Sequence, residues 1–282
     1  MNQIDGHTGS VALIGCGPGD PELMTLKAVK RLAVADVIVI DRLVGAGVLA
    51  NARPGAIVID AGKTPGGRAM PQDEINRILV REALKGRRVV RLKGGDGFVF
   101  GRAAEEMAAL RAAGIEVEVI PGITSAHACA ASIGLPLTLR ETIRQFSVVT
   151  GATASGKADL DWPALAKPGQ AFAIYMGVGA APHISAKLLS AGANTSTPAV
   201  IVENGTLPNE RSISTTLGEL AAAVTTLDVV GPAIIFVGLS WAAANLTMPD
   251  KVSVFGCAED LDTNHMRFEI KDDVAMLSRR RA

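Results

Sequence analysis

Five short stretches of this chain pair glycine with ionisable or hydroxyl side chains, or place a charged residue just past an apolar run: Gly17-Pro18-Gly19-Asp20, Asp41-Arg42, Lys63, Gly94-Gly95-Asp96 and Pro121-Gly122-Ile123-Thr124-Ser125. Glycine lets a backbone approach a ligand closely, and Asp or Lys can exchange a proton with one. A dinucleotide turn needs G-x-G-x-x-G, so that N–H groups at a helix start hold a pyrophosphate. Counted from Gly15, the third glycine position is Asp20, and Pro18 removes a donor. There is no G-x-x-x-x-G-K-[ST] loop, and Asp20 and Asp96 stand where a polyphosphate would ask for Lys, Arg or a metal. The pattern suits a nucleoside carrying an amino-acid moiety and a cationic centre, as S-adenosylmethionine does.

Each residue also has a plainer reading. Asp41 beside Arg42 can be a solvated strand end, and Gly94-Gly95 a tight turn closed by the Asp96 side chain. What raises their standing is that each stretch follows a β-rich run. In a parallel sheet all carboxyl ends share one edge, which is where α/β proteins bind ligands.

The runs are VALIG (11–15), DVIVID (36–41), AIVIDAG (56–62), RVVRL (88–92) and EVEVI (116–120), separated by amphipathic helical patterns. One helix is expected to start at Asp20 and Pro21, with Leu23, Leu26, Val29 and Leu32 on a single face. A second starts at Pro71 and ends at Gly86, and a third runs from about Gly101 to Gly114. The rhythm lapses near GLPLTLRET (134–142). Beyond it FSVVTG (146–151), AFAIYMG (171–177), PAVIVENG (198–205), RSISTT (211–216) and PAIIFVG (232–238) read as strands, with helices near 181–191 and 217–227. The expected fold is therefore α/β in two lobes, residues 10–136 and 137–245 with a mixed sheet in the second, flanked by a disordered segment 1–9 and a loosely attached extension 246–282.

Lys plus Arg equals Asp plus Glu at 28 each, so no general attraction toward nucleic acid or an anionic membrane is expected. Cys16, Cys129 and Cys257 are too scattered for a zinc or iron–sulfur spacing, and His7, His127, His183 and His265 are isolated, so no metal is expected. Three thiols make no complete disulfide framework, which points to the cytoplasm. His127 reads as a packing residue on an apolar helix. Neither a signal peptide nor a membrane span is apparent.

GCGPGDPELMTLKA, DRLV, AGK, VVRLKGGDGFVFGR, PGITSA, GLPLT, YMG and NGTLPNER, in that order from about Ser10 to Trp241, resemble the tetrapyrrole methylase family, nearest its uroporphyrinogen-III C-methyltransferase branch. The resemblance implies a homodimer that binds S-adenosylmethionine between the lobes. Matching positions assign Pro18, Gly94, Gly95, Asp96, Val99, Thr124, Ser125, Met176, Gly205 and Ala233 to that ligand. They make Asp41 the proton acceptor and Lys63 the donor, with Lys63 equally able to grip a substrate carboxylate. A tetrapyrrole with eight carboxylates on a chain of zero net charge needs arginines, and Arg42 and Arg140 are the first choices, ahead of Arg68 and Arg102.

The chain departs from the family pattern at Thr64, Gly97, Ala103-Ala104, Leu139 and Ala152, so the cofactor motifs are kept more fully than the substrate motifs. The leading expectation is methylation of uroporphyrinogen III to precorrin-2. Behind it stand a relative acting on another tetrapyrrole or electron-rich heterocycle, a non-catalytic S-adenosylmethionine-binding regulator, and a dehydrogenase.

Overall fold

A computed structural model describes residues 9–62, 70–153 and 156–256. Its first sheet contains β1 (Val11–Gly15), β2 (Val37–Ile40), β3 (Ile57–Asp60), β4 (Val89–Lys93) and β5 (Val117–Ile120), all parallel, in the order β3-β2-β4-β1-β5. The order reverses beside β1, and the helices α1 (Leu26–Leu32), α2 (Gln72–Leu84) and α3 (Ala103–Ala112) cover the two faces. Alternate residues choose the face. Ala12 and Ile14 of β1 pack with Ala28 and Leu32 of α1, while Val11 and Leu13 pack with Ile75, Ile78 and Leu79 of α2 and Leu110 of α3.

The helix expected from Asp20 onward is two pieces. Asp20 Oδ1 accepts the Glu22 N–H at 2.8 Å and caps a single 3-10 turn, Pro21–Leu23. The chain then extends through Met24 and Thr25, and the Thr25 hydroxyl accepts the Ala28 N–H to cap α1. Two capping side chains five residues apart each nucleate their own turn. The apolar face rotates accordingly: Leu26, expected inside, is 81% exposed, and Ala28 and Leu32 are buried.

The second sheet is mixed and has the order β13-β11-β10-β12-β9-β6, built from β6 (Gln145–Thr150), β9 (Gln170–Tyr175), β10 (Pro198–Glu203), β11 (Arg211–Thr216), β12 (Ala233–Val237) and β13 (Val252–Val254). β6 lies parallel to β9 and β13 to β11; the other pairings are antiparallel. A two-residue hairpin, β7 (Ala152–Thr153) and β8 (Gly156–Lys157), and the short helix α5 (Trp162–Leu165) precede β9. Helices α6 (Ala181–Ser190) and α7 (Leu220–Thr226) cover one face.

The other face is covered by α4 (Ser125–Ser132), whose Ala126, Cys129 and Ala130 join Ala173, Val202 and Phe236 in one core. This helix lies within the stretch expected to form the first lobe, yet its apolar side is buried against the second sheet. Residues 252–254, placed by the sequence in a loosely attached tail, form an edge strand with Val252 buried in that same core. Among the described residues no helix is long and apolar enough to cross a membrane.

Candidate active site

Four loops meet at the carboxyl edge of the first sheet, and their contacts are mostly backbone on backbone. Gly17 and Gly95 exchange two N–H···O bonds, at 3.2 and 2.6 Å. A side chain on Gly122 would fall on the carbonyl oxygens of Gly95 and Gly15, so this three-way approach admits only glycine. Asp96 fastens the loops after β4 and β5 together: Oδ2 accepts the Gly122 N–H at 3.0 Å and Oδ1 the Phe98 N–H at 2.8 Å. Gly94 is pressed against Leu43 of the second loop, and Ser125 Oγ lies beside Gly95. Pro18, Gly94, Gly95, Asp96, Thr124 and Ser125 thus sit on adjoining loops, and Val99 closes the turn begun at Asp96.

The second lobe docks onto this edge at three places. The Asp20 N–H donates to Thr206 Oγ1 at 3.2 Å, and Leu207 packs on Gly19. Tyr175 OH shares a hydrogen bond with Thr124 Oγ1 at 2.5 Å and accepts the Ala126 N–H at 2.8 Å. Gly205 lies on the Cys129 thiol so closely that a Cβ there would clash. Met176, next to Tyr175, is a left-handed residue with φ of 52° and a half-exposed side chain; Ala233 opens β12 opposite Glu203. Phe100 packs on Tyr175 in a tilted contact with ring centroids 5.3 Å apart, and Phe98 is 61% exposed. Exposed apolar rings and a thioether beside backbone polar groups make a surface suited to a nucleoside and an alkyl chain.

Asp41 directly follows β2. Its Oδ1 accepts the Arg42 N–H at 2.7 Å, and its Oδ2 lies 3.4 Å from Arg91 Nη2. The Arg42 and Arg140 side chains are exposed and form no ion pair among the described residues. Arg140 sits in the tight turn between Leu139 and Ile143. Lys63, Thr64 and Arg68 lie outside the described residues. His127 is exposed on α4, edge-on to Phe146, rather than packed in the core, because α4 turns its alanines and Cys129 inward.

Beneath Asp41 is a cluster that the sequence reading does not single out. Arg91, Lys93 and Glu106 are buried together: Glu106 Oε1 accepts Arg91 Nε at 3.0 Å, and Lys93 Nζ lies 3.0 Å from each Glu106 oxygen. Burial, then the neighbouring Arg91 charge, pushes the Lys93 ammonium below the ordinary lysine range. Strand parity is the signal that could have found it, since Arg91 and Lys93 share the face of Val89, which α2 and α3 cover. Burial likewise pushes the Cys16 and Cys129 thiols up to about 12.

The loops 17–20, 94–99 and 121–125 contain no Lys or Arg. The Gly17 and Gly95 N–H groups are engaged with each other's carbonyls and those of Phe98 and Gly122 with the Asp96 carboxylate, so a diphosphate here would meet an acidic rim with no cation from these loops. An acidic, glycine-lined rim with apolar surface across from it fits a sulfonium nucleoside on donor chemistry.

The family model for tetrapyrrole (corrin/porphyrin) methylases matches residues 10–221. The chain belongs to this family. The tetrapyrrole methylase resembles the uroporphyrin III C-methyl transferase of Thermus thermophilus, with 40% identity and a TM-score of 0.70 over 82% of this chain and 92% of that one. The same transferase complexed with S-adenyl homocysteine aligns at 41% identity and a TM-score of 0.70, covering 82% of this chain and 97% of that one. A cobalt precorrin-4 methyltransferase aligns at 30% identity and a TM-score of 0.73, over 81% of this chain and 94% of the other. Among curated relatives, siroheme synthase 2 of Klebsiella pneumoniae is 47% identical over 232 residues, 82% of this chain and 50% of its own. The siroheme synthase of Pseudoalteromonas translucida is 45% identical over 230 residues, 82% of this chain and 49% of its own. The chain spans about half the length of these curated relatives.

Proposed function

We propose that this tetrapyrrole methylase is an S-adenosylmethionine-dependent C-methyltransferase that acts on uroporphyrinogen III at C2 and C7, giving precorrin-2 for sirohaem or cobalamin synthesis, as a homodimer in the cytoplasm. The observation that carries the reading is the convergence of Pro18, Gly94–Asp96 and Thr124-Ser125 with Met176 and Gly205 of the other lobe, on a rim without phosphate-directed cations. The likeness to the Thermus thermophilus transferase supports the substrate class.

The ligand supplies an electrophilic methyl on a sulfonium. The loops Gly94–Val99 and Pro121–Ser125 hold its amino-acid part, and Met176, Gly205 and Ala233 flank the nucleoside. The protein's main task is alignment, since fixing a nucleophilic carbon in line with the methyl removes several kcal/mol from the barrier. The rigid backbone contacts of the first-lobe edge suit that task. The carbons methylated in such a substrate bear acetate groups and carry no hydrogen, so the proton leaves from a pyrrole nitrogen or a bridge carbon. Asp41, 39% exposed and tethered at both oxygens, is placed to receive it. Lys63 donates a proton or anchors a carboxylate, and Arg42 and Arg140, exposed without ion partners among the described residues, bind further carboxylates.

The test is incubation with labelled S-adenosylmethionine and uroporphyrinogen III, with a dimethylated product expected. Asp41→Asn should bind S-adenosylhomocysteine as the wild type does while turnover falls by about 100-fold. Ligand binding with no product from uroporphyrinogen III would direct the reading to a different heterocycle; unchanged turnover in D41N would remove Asp41 from the chemistry.

A further inference from the structure

We propose that Arg91 is the positioning residue of Asp41, held in place by Glu106, so that a cluster buried under the cleft sets the orientation of the carboxylate that faces it. The proposal rests on the reading of Asp41 as the group that meets the substrate.

Arg91 is 2% exposed and its donors are divided among fixed acceptors. Nε donates to Glu106 Oε1 at 3.0 Å, and Nη1 to the carbonyls of Val39 at 3.4 Å and Leu92 at 3.3 Å. That leaves Nη2, which points at Asp41 Oδ2. Glu106, fully buried, is itself immobilised by Lys93 on both oxygens and by Gln72 Nε2 at 3.2 Å. Side chains from α2, α3 and β4 thus define where the guanidinium lies, and the guanidinium with the Arg42 N–H defines where the Asp41 carboxylate lies.

Charge supports the same assignment. Arg91 and Lys93 place two cations in the interior against the single carboxylate of Glu106. Buried charges need partners, and the second carboxylate paired with this cluster is Asp41. A stability device would bury that carboxylate as well. Here it is 39% exposed, tethered on its buried side by Arg91 and left accessible on the other.

The pairing dictates which substitutions fold. Arg91→Met removes one cation and leaves Lys93 and Glu106 matched. Arg91→Lys keeps the cation, but a single ammonium cannot replace the planar fork that serves Glu106 and Asp41 together. Wild type, R91M, R91K, D41N and the R91M/D41N double variant of the full chain should be compared for turnover, for S-adenosylhomocysteine affinity by calorimetry, and for unfolding free energy. R91M should lower kcat on the order of 100-fold with S-adenosylhomocysteine affinity unchanged, the size of effect that follows from misplacing a reacting group. In the D41N background R91M should cost no further turnover, and the stability cycle should give a non-zero coupling between positions 91 and 41. Wild-type kcat in R91M, full multiplicative loss in the double variant, or zero coupling each overturns the proposal. If R91M does not fold, R91K has the same expected turnover loss, and wild-type kcat there overturns it. Full turnover in D41N would overturn the reading of Asp41 and this proposal with it, whereas an impaired D41N beside an unimpaired R91M sinks the Arg91 assignment alone.

Discussion

The first lobe builds its side of the cleft from main chain, whereas the second builds its side from side chains that hold the main chain in an unfavourable shape. At the first edge Gly15, Gly95 and Gly122 touch without side chains between them, and Gly17 and Gly95 are joined by reciprocal hydrogen bonds. At the second edge three non-glycine residues, Met176, Asn204 and Thr206, have φ of 52°, 53° and 67°; the first lobe also has two, Phe100 and Arg102, but past its glycine contacts, where the loop after β4 runs into α3. A left-handed residue with a Cβ costs about 1–2 kcal/mol, so such a run persists only if its surroundings insist on it. They do: the Thr206 N–H donates to Glu210 Oε2 at 2.7 Å, and the Asn204 N–H donates to the Pro232 carbonyl at 2.9 Å. Glu210 is in turn held by Lys251, which also reaches the Ser132 carbonyl at the end of α4. The lesson is that one half of the cleft is rigid by close approach and the other by a removable network.

The contrast can be broken most severely at Gly122. Gly122→Ala places a methyl on two backbone oxygens that cannot step aside, and should cost about 3 kcal/mol of stability and abolish S-adenosylhomocysteine binding. Denaturant unfolding and calorimetry check this, and an alanine tolerated at full affinity would show that the edge gives.

Glu210→Ala attacks the other half. It unpairs the Thr206 N–H, leaves Lys251 only the Ser132 carbonyl, and should cost about 2 kcal/mol, with weaker ligand binding because Thr206 holds Asp20. Burial pushes the Glu210 carboxyl up, but the Thr206 N–H, Ser132 and Lys251 outweigh it and hold the group below the ordinary glutamate range. A depressed folded value means that this stability is present above the unfolded value and disappears as pH falls through the folded one. The gap between wild type and E210A should therefore close on acidification; a gap independent of pH would deny the ionic character of the contact.

The smallest effect sharpens the comparison. Met176→Gly should relieve the left-handed strain and stabilise the unliganded fold by about 1 kcal/mol, while weakening S-adenosylhomocysteine through loss of the thioether side chain. Equal stability of the two proteins would mean that the strain is compensated locally.

The same contrast governs what could be read from the amino-acid order. Runs such as VALIG and VVRLK, and glycine-rich turns after them, carry local signals of β-branching, alternation and freedom at positive φ, and the strands appear close to where those signals place them. The second edge leaves no such trace, because Met176, Asn204 and Thr206 are forced into shape by partners distant in sequence or by a turn that closes only in the fold. The strand at 252–254 depends on tertiary contacts in the same way, whereas the split between Asp20 and Thr25 as caps is local, each bonding an N–H two or three residues on. Arg91 is the instructive case. Within the run VVRLK it shares the inward face of Val89, and Glu106, on a helix fifteen positions later, supplies the partner that keeps it in the interior.

The Tyr175 hydroxyl, bonded to both Thr124 and Ala126 across the lobes, gives the molecule a fixed gauge. Burial pushes this phenol up from its ordinary range, so it stays a neutral hydroxyl across the working pH and the bolt does not slip. With that bolt intact, guests would enter along the gap without a closing step, and their arrival should then follow the viscosity of the medium.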